Sequence, residues 1–527
     1  RERILAGATA LADAVRPTLG PRSKCVLVGR RFGSPIVCND GVTIAREIHL
    51  ADPEKDLGVR VLREAAVRTG DRVGDGTTTA TLLAHAIFAD GLRNVVAGAS
   101  AVALGHGIEM GRAAALDALE VLSVPCDSRA QREQVATVSA HNDPAIGALV
   151  AEAMERVGAE GIVTLEETKG TETEIEVVEG MQFDRGFASP YFVTQPDRME
   201  AVLEEPMVLL YEGKLARVDA LLPLLEKVLG LGASLLVIAE SIEGEALATL
   251  VVNKLRGSLR CAAVKAPGYG DRRKAMMQDL AVLTGGTYFA EELGLAMDKI
   301  EPEQLGRARR AVLGRETTTI IGGGCDPAPL EARREDIRAA LKGPRVSDYD
   351  REKLEERLAR LSGGVALIRV GAASEAEMKN RKEAFEDAIA ATKAAVVGGI
   401  VPGGGVALVR AMPAVESLAL SHEGDVRTGL RVLARALEAP LRQIARNSGF
   451  DPGVVVEHVR DAAGSIGFDA ARGVYADLVA LGIIDPTEVV RVALDHAVSV
   501  ARTLLLTEAS LTEVADPEDR AGPVGIE

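Results

Sequence analysis

The chain has 527 residues, 47% of them hydrophobic and 26% charged, a balance that excludes long-range disorder and collagen-like repetition and predicts roughly three domains at ~150 residues each. Its 61 basic and 77 acidic residues leave a formal charge of −16, which argues against nucleic-acid partners because such a surface repels a phosphate backbone. Aromatics at 3%, with no tryptophan, provide little for base stacking.

The longest uncharged run, Ala394 to Val409, is interrupted by five glycines and Pro402 and is too short for a membrane span. The opening residues carry no secretory pattern. The expectation is a cytoplasmic protein with no membrane association. Cys25, Cys38, Cys126, Cys261 and Cys325 are scattered and odd in number, with no C-x-x-C pair. They predict reduced thiols serving as small hydrophobes rather than a disulfide framework or a zinc site.

In chain order, Ile4, Leu5, Ala8, Leu11, Ala12 and Val15 recur at helical spacing, and Pro17 and Gly20-Pro21 end that helix. Cys25–Val28 and Pro35–Asn39 predict a hairpin. Asp40-Gly41 is a turn, with a helix following from Val42. A helical tract interrupted by Gly-Asp-Gly runs from about Leu57 to Leu92. Composition shifts near Leu122, and Ala130–Val157 reads as helical. From Gly161 the pattern alternates, giving strands at Ile162–Leu165 and Ile175–Val178.

Between Met181 and Gly364, strands (Met207–Tyr211, Ser234–Ala239, Ala262–Val264, Thr317–Ile321) alternate with helices (Asp219–Leu229, Glu243–Leu255, Asp271–Leu283, Tyr349–Leu361), the pattern of an α/β domain. A strand at Val365–Val370, a charged helix at Glu375–Val397 and a Gly-rich hinge or loop at Ile400–Gly405 follow, and helices fill the remainder. The two ends of the chain are alike and the middle differs. The predicted fold class is therefore multi-domain α and α/β: a discontinuous helical base with small hairpins, two short connecting segments and an inserted α/β domain.

Three glycine turns are candidates for anion binding. Gly74-Asp75-Gly76-Thr77-Thr78-Thr79 precedes a helix. Its glycines allow close backbone approach, its free N–H groups and hydroxyls suit phosphate, and its aspartate suits Mg2+. The same residues also suit a well-capped helix start. Thr18-Leu19-Gly20-Pro21 and Gly403-Gly404-Gly405 read first as plain turns. There is no G-x-x-x-x-G-K-[ST], and no G-x-G-x-x-G between a strand and a helix, which excludes a P-loop and leaves a dinucleotide fold unsupported. Asp40, Asp387 and Asp485 are the acidic candidates. Leu222, Leu225 and Leu229, and likewise Leu247, Val251, Val252 and Leu255, form apolar stripes that periodicity alone assigns to two helices packed on a sheet. The alternative is a groove for partner segments.

Taken in order, Thr18–Pro21, Asp40–Glu47, Gly74–Thr81, Val178–Phe192, Glu243–Asn253, Ala263–Met276, Ser347–Leu354 and Gly403–Leu408 resemble the group I chaperonins, the GroEL-type sixty-kilodalton family, over nearly the whole chain. The resemblance implies an equatorial ATP-binding domain (1–121 and 398–527), an intermediate hinge domain (122–178 and 366–397) and an apical domain (179–365). It implies two stacked seven-membered homo-oligomeric rings, unfolded client proteins, a GroES-type lid co-chaperonin, and ATP with Mg2+ and K+.

Residue by residue, it assigns Thr18, Leu19, Gly20, Pro21 and Asn39 to the nucleotide pocket. Asp75 is the Mg2+ ligand, with Gly76, Thr77, Thr78 and Thr79 around the phosphates. Gly404, Asp469, Ala470, Ala471, Ile483 and Asp485 lie on the adenosine side. Asp387 orients the attacking water, and Asp40 lies across the phosphates. Phe187, Tyr191, Phe192, Leu222, Leu225, Leu247, Val251 and Val252 become the client- and lid-binding surface, which reverses the packed-helix reading of the stripes. Arg185 and Glu375 are implied to pair between subunits, and Arg442 and Asp451 to lie where rings meet.

The chain departs from the family pattern at several places. Asn39 stands where the family usually has lysine, Asp469 replaces a common asparagine, and Phe187 replaces a frequent tyrosine. The Gly-Gly-Met-rich tail, the initial Met and a short first strand are missing, the signature of an incomplete chain or a diverged paralogue. The functional expectation is an ATP-driven folding machine. A ring that mainly holds clients is the alternative, and a metabolic ATP-dependent transferase or ligase lacks any second-substrate constellation.

Overall fold

The structure, a computed structural model, describes residues 1–29, 36–158, 161–168, 170–196, 198–219, 221–290, 297–325, 327–341 and 348–512. The turn of the first hairpin, the acidic C-terminal segment and Ser347 fall outside the described residues. The chain is mixed α and α/β and divides into two compact units. One is formed by Arg1–Ala151 together with the chain from Ala373 on; the other is the continuous insertion Glu152–Ala372.

The first unit is helical. Its core is built by helices Glu2–Val15, Pro53–Val73, Thr77–Val96, Ala101–Leu122, Val406–Leu420, Gly424–Ala436 and Thr487–Leu506. Leu11, Leu62, Leu83, Ile108, Leu433 and Leu494, spaced three or four residues from other apolar positions on their own helices, meet there fully buried. Three short ribbons edge this core: Val26–Val28 with Ile36–Cys38, Ile400–Pro402 with Ile484–Pro486, and Ile466–Asp469 with Val474–Asp477, all antiparallel.

Two sequence expectations change here. Ala130–Val157 is two helices, Arg129–Ser139 and Pro144–Val157, separated by His141 and Asn142 in left-handed backbone (φ 55° and 65°). Asp143 then caps the second helix, accepting from the amides of Ala145 and Ile146 at 2.9 and 3.3 Å. Ile400–Gly405 is no free loop: its first half is the strand paired with Ile484–Pro486, and only Gly403–Gly405 turns.

In the second unit, Pro206–Leu215, Ser234–Ile242 and Cys261–Lys265 run parallel, linked by helices Leu222–Gly230 and Gly244–Leu255. These strands are buried on both faces and read as continuous apolar runs. Antiparallel strands Gly180–Phe183, Thr318–Gly323 and Gly306–Leu313 extend the sheet. A separate three-stranded sheet sets Val365–Val370 between Ile162–Glu167 and Glu174–Val178. Asp279, fully buried, is held by Arg333 and by both arms of Arg357 at 2.7–2.8 Å, the paired state a buried charge requires.

None of the five cysteines is in a disulfide. Cys38, Cys126 and Cys261 are buried, and burial pushes the Cys261 thiol up to about 12, so these three act as small hydrophobes. Cys25 is exposed instead. Among the described residues no helix is long and apolar enough to cross a membrane.

Candidate nucleotide site and exposed apolar face

A cavity of about 410 Å3 opens in the helical unit. It is lined by Thr18–Pro21, Asn39, Asp40, Asp75–Thr79, Asp387, Gly404, Asp469–Ala471, Ile483 and Asp485, so every residue expected around the nucleotide faces one space.

Each segment arrives there for a local reason. Gly74 and Gly76 both adopt left-handed backbone (φ 74° and 78°), so the chain turns twice around Asp75 between two helices. This leaves the first amides of helix Thr77–Val96 free at the cavity, with no side chain capping them. The Thr18 turn is clamped by Asn447, whose side-chain amide donates to the carbonyls of Arg16 and Leu19 at 2.8 and 2.9 Å. Arg22 then reaches across to the Ala471 carbonyl at 2.9 Å, tying this turn to the Asp469 turn. Asp485 sits in the short ribbon opposite Val401.

The carboxylates differ in how far their charge is answered. Asp40 caps helix Gly41–Glu47, accepting from the amides of Val42 and Thr43 at 3.2 and 2.7 Å. Asp469 is consumed by its own turn, accepting from the amides of Ala471 and Arg472 at 3.0 and 3.2 Å, with the Arg472 guanidinium at 3.5 Å. Asp75 accepts from the Ser139 hydroxyl at 2.7 Å. Among the described residues Asp387 and Asp485 form no ion pair. Burial, followed by the Asp75 and Asp40 charges, holds the Asp387 carboxyl well above the usual carboxylate range. Burial and then Asp75 push Asp485 up to about 7.

Asp75, Asp387 and Asp485 thus face one space in which burial disfavours the ionised forms of the last two, and a divalent cation there would favour those forms again. Among the described residues no group of three or more His, Cys, Asp or Glu is arranged to hold a metal by itself. Mg2+ does not require such a group, because it keeps waters and takes one or two carboxylates alongside phosphate oxygens. The Thr18 and Thr78 hydroxyls lie 3.1 Å apart at the same wall. Asn39 lines the cavity and makes no side-chain hydrogen bond among the described residues.

Sequence reasoning did not single out Ser139, His141, Asn142 and Arg472, which also line the cavity, nor Asn447 and Arg22, which hold its turns. Asn142-Asp143-Pro144 was the available signal for the turn beside Ser139.

In the α/β unit the expected client surface divides. Tyr191 (64%), Leu222 (41%) and Val252 (42%) are exposed, whereas Phe192 (0%) and Leu225 (6%) are buried in the core. Phe187, Leu247 and Val251 are partly buried and pack on that core. Leu229, Leu231, Leu255 and Tyr269 add exposed apolar area. The stripes therefore face both the core and solvent. Each helix seats one edge on the sheet, through Leu224, Leu225 and Val228 or through Ala246 and Leu250, and leaves the other edge in solvent. Arg185 lies over the Tyr269 ring at 5.3 Å. Glu375 opens helix Glu375–Gly398, exposed. Arg442 pairs with Glu438 at 2.6 Å, and Asp451 caps helix Pro452–Asp461.

Residues 11–513 match the model of the TCP-1/cpn60 chaperonin family. The chain is 60% identical, over 98% of its own length and 96% of the relative's, to a protein named Chaperonin GroEL 5 from Bradyrhizobium diazoefficiens.

Proposed function

The chain belongs to the TCP-1/cpn60 chaperonin family, in its group I, GroEL-type branch, and acts as an ATP-dependent chaperonin; from this premise we propose that it hydrolyses ATP in the cavity of the helical unit. That chemistry would move the apolar face of the α/β unit between client capture and release, in the cytoplasm. The observation that carries the reading is the under-compensated set Asp75, Asp387 and Asp485 facing an unsatisfied helix start.

Phosphoryl transfer needs little covalent help from protein; it needs positioning and charge neutralisation. Asp75 would ligate Mg2+, which supplies charge neutralisation when bound. Gly76–Thr79 and the Thr18–Pro21 turn would cradle the phosphates through amides and hydroxyls. Gly404, Asp469, Ala470, Ala471, Ile483 and Asp485 would enclose the adenosine side. Asp40 would face the phosphates while capping its helix, with Asn39 beside it, and K+ would share that site. Asp387, raised in proton affinity, would orient the attacking water and accept its proton.

In this reading residues 122–178 and 366–397 form a hinge between an equatorial domain and an apical domain at 179–365. Unfolded clients and a GroES-type lid would meet the edge marked by Tyr191, Leu222, Val252, Leu229 and Leu255, because exposed apolar side chains bind unfolded chains without reading their sequence. Phe192 and Leu225 would support it from beneath, with Phe187, Leu247 and Val251 at its margin. Arg185 with Glu375, and Arg442 with Asp451, would act between subunits of two stacked seven-membered rings. No observation favours a ring that only holds clients.

Refolding of a chemically denatured client tests this. Recovery of client activity is expected only with ATP and a lid protein together, and Asn39→Lys is expected to tighten nucleotide binding. Suppressed aggregation with no ATP-dependent recovery would overturn the proposal.

A further inference from the structure

Helix Gly424–Ala436 carries arginines at 427, 431 and 435. At four-residue spacing they share one face, with guanidinium stems about 6 Å apart along the axis. That face borders a groove of about 470 Å3, completed by Ala434 and by Glu416, Ala419 and Leu420 of helix Val406–Leu420. It shares no residue with the nucleotide cavity.

The charge of this groove is not balanced from within. Glu416 is engaged by Arg460 at 2.9 Å, and Arg435 pairs with Asp90 at 3.0 Å. Among the described residues Arg427 and Arg431 have no ion pair and no side-chain hydrogen bond, and the Arg427 Nε–H is buried without an acceptor. Two such guanidinium groups on one helix face, without a counter-ion among the described residues, favour an anion arriving in the groove. The guanidinium fork matches phosphoryl oxygens two at a time. On a chain of formal charge −16, such a row is a local site of attraction for anions. A single phosphate engages one or two of these forks. Three in a row, spanning about 12 Å, two of them unpaired among the described residues and Arg435 shared with Asp90, match a linear anion with several phosphoryl groups. Ala419, Leu420 and Ala434 add no charge to the floor, and Glu416, the one carboxylate among the described lining residues, is held by Arg460.

We propose that this groove is a binding site for linear anions of the inorganic polyphosphate class, separate from the nucleotide cavity and independent of how that cavity is read. The test is calorimetric titration of tripolyphosphate into the assembled full-length protein, with the nucleotide cavity saturated by ADP and Mg2+ kept in excess. One further site per chain is expected. It should weaken as salt rises, and at least tenfold in Arg427→Gln/Arg431→Gln, while ATPase activity measured without tripolyphosphate stays at the parent level. Orthophosphate is expected to bind at least tenfold more weakly. Absence of the extra site, or equal binding by the double variant, would overturn the proposal. Equal affinity for orthophosphate would overturn the polyphosphate assignment. Should the double variant disassemble while the parent protein binds nothing, the row is a subunit contact and the proposal fails.

Discussion

Gly74 and Ala390 touch: a Cβ built on Gly74 would lie 2.3 Å from the Cβ of Ala390. Ala390 is one turn beyond Asp387 on helix Glu375–Gly398, and Gly74 immediately precedes Asp75. This bare position is what lets the helix bearing one carboxylate settle against the loop bearing the other. Gly74→Ala adds both a clash and a side chain in left-handed backbone (φ 74°). Steady-state ATP hydrolysis is expected to drop at least tenfold, with a smaller loss in nucleotide affinity. Turnover at the parent rate would show that the close packing is dispensable.

In the proposed reaction Asp387 acts on the water and not on the nucleotide. Asp387→Ala is expected to keep fluorescent-nucleotide affinity within about threefold and to slow single-turnover hydrolysis by roughly 10²-fold or more, the usual scale of a positioned acid or base. Parallel losses in binding and turnover would instead make it a binding residue.

Asp485 gives a pH signature. Its carboxyl is raised from 3.8 to about 7 in the folded chain, so the folded state holds the proton more tightly than the unfolded state does. Its contribution to stability is complete below pH 4, declines as pH rises and is lost by about pH 7, above which a buried carboxylate is carried at a cost. Without metal or nucleotide, Asp485→Asn is expected to melt a few degrees higher than the parent at pH 8 and at the same temperature at pH 4. A pH-independent difference in thermal scans would mean that Asp485 is not titrating in the fold.

Much of this arrangement was legible in the chain and some was not. Gly74–Thr79 announced itself as a turn before a helix because its two glycines accept left-handed backbone on either side of Asp75. The break at His141–Asn142 was hidden by helical composition on both sides, although Asp143-Pro144 marked it. Ile400–Pro402 was unreadable as a strand because its partner, Ile484–Pro486, lies more than eighty residues away. Ser139, Arg22 and Asn447 escaped for the same reason: their roles are contacts across the fold, which no local spacing encodes. The apolar stripes gave the right helices but not which leucine faces the sheet. Phe192 and Leu225 went inside, while Leu229 and Leu255 stayed out.

That division predicts opposite outcomes for neighbouring residues. Val252→Glu changes an exposed side chain (42%) and is expected to leave folding and assembly intact while reducing capture of a denatured client at least tenfold. Leu250→Glu puts a charge where exposure is 0% and is expected to unfold the α/β unit. Urea titration with paired client-binding assays separates the two. Unimpaired capture by the Val252 variant would remove this edge from the client surface.

The most direct measurement is hydrogen exchange of helices Leu222–Gly230 and Gly244–Leu255 in the assembled protein, with and without Mg·ATP, with nucleotide occupancy verified in the same sample. The account predicts that saturating nucleotide, bound in the helical unit, changes the protection of both helices. Identical exchange at full occupancy would mean that events in the cavity do not reach the apolar edge.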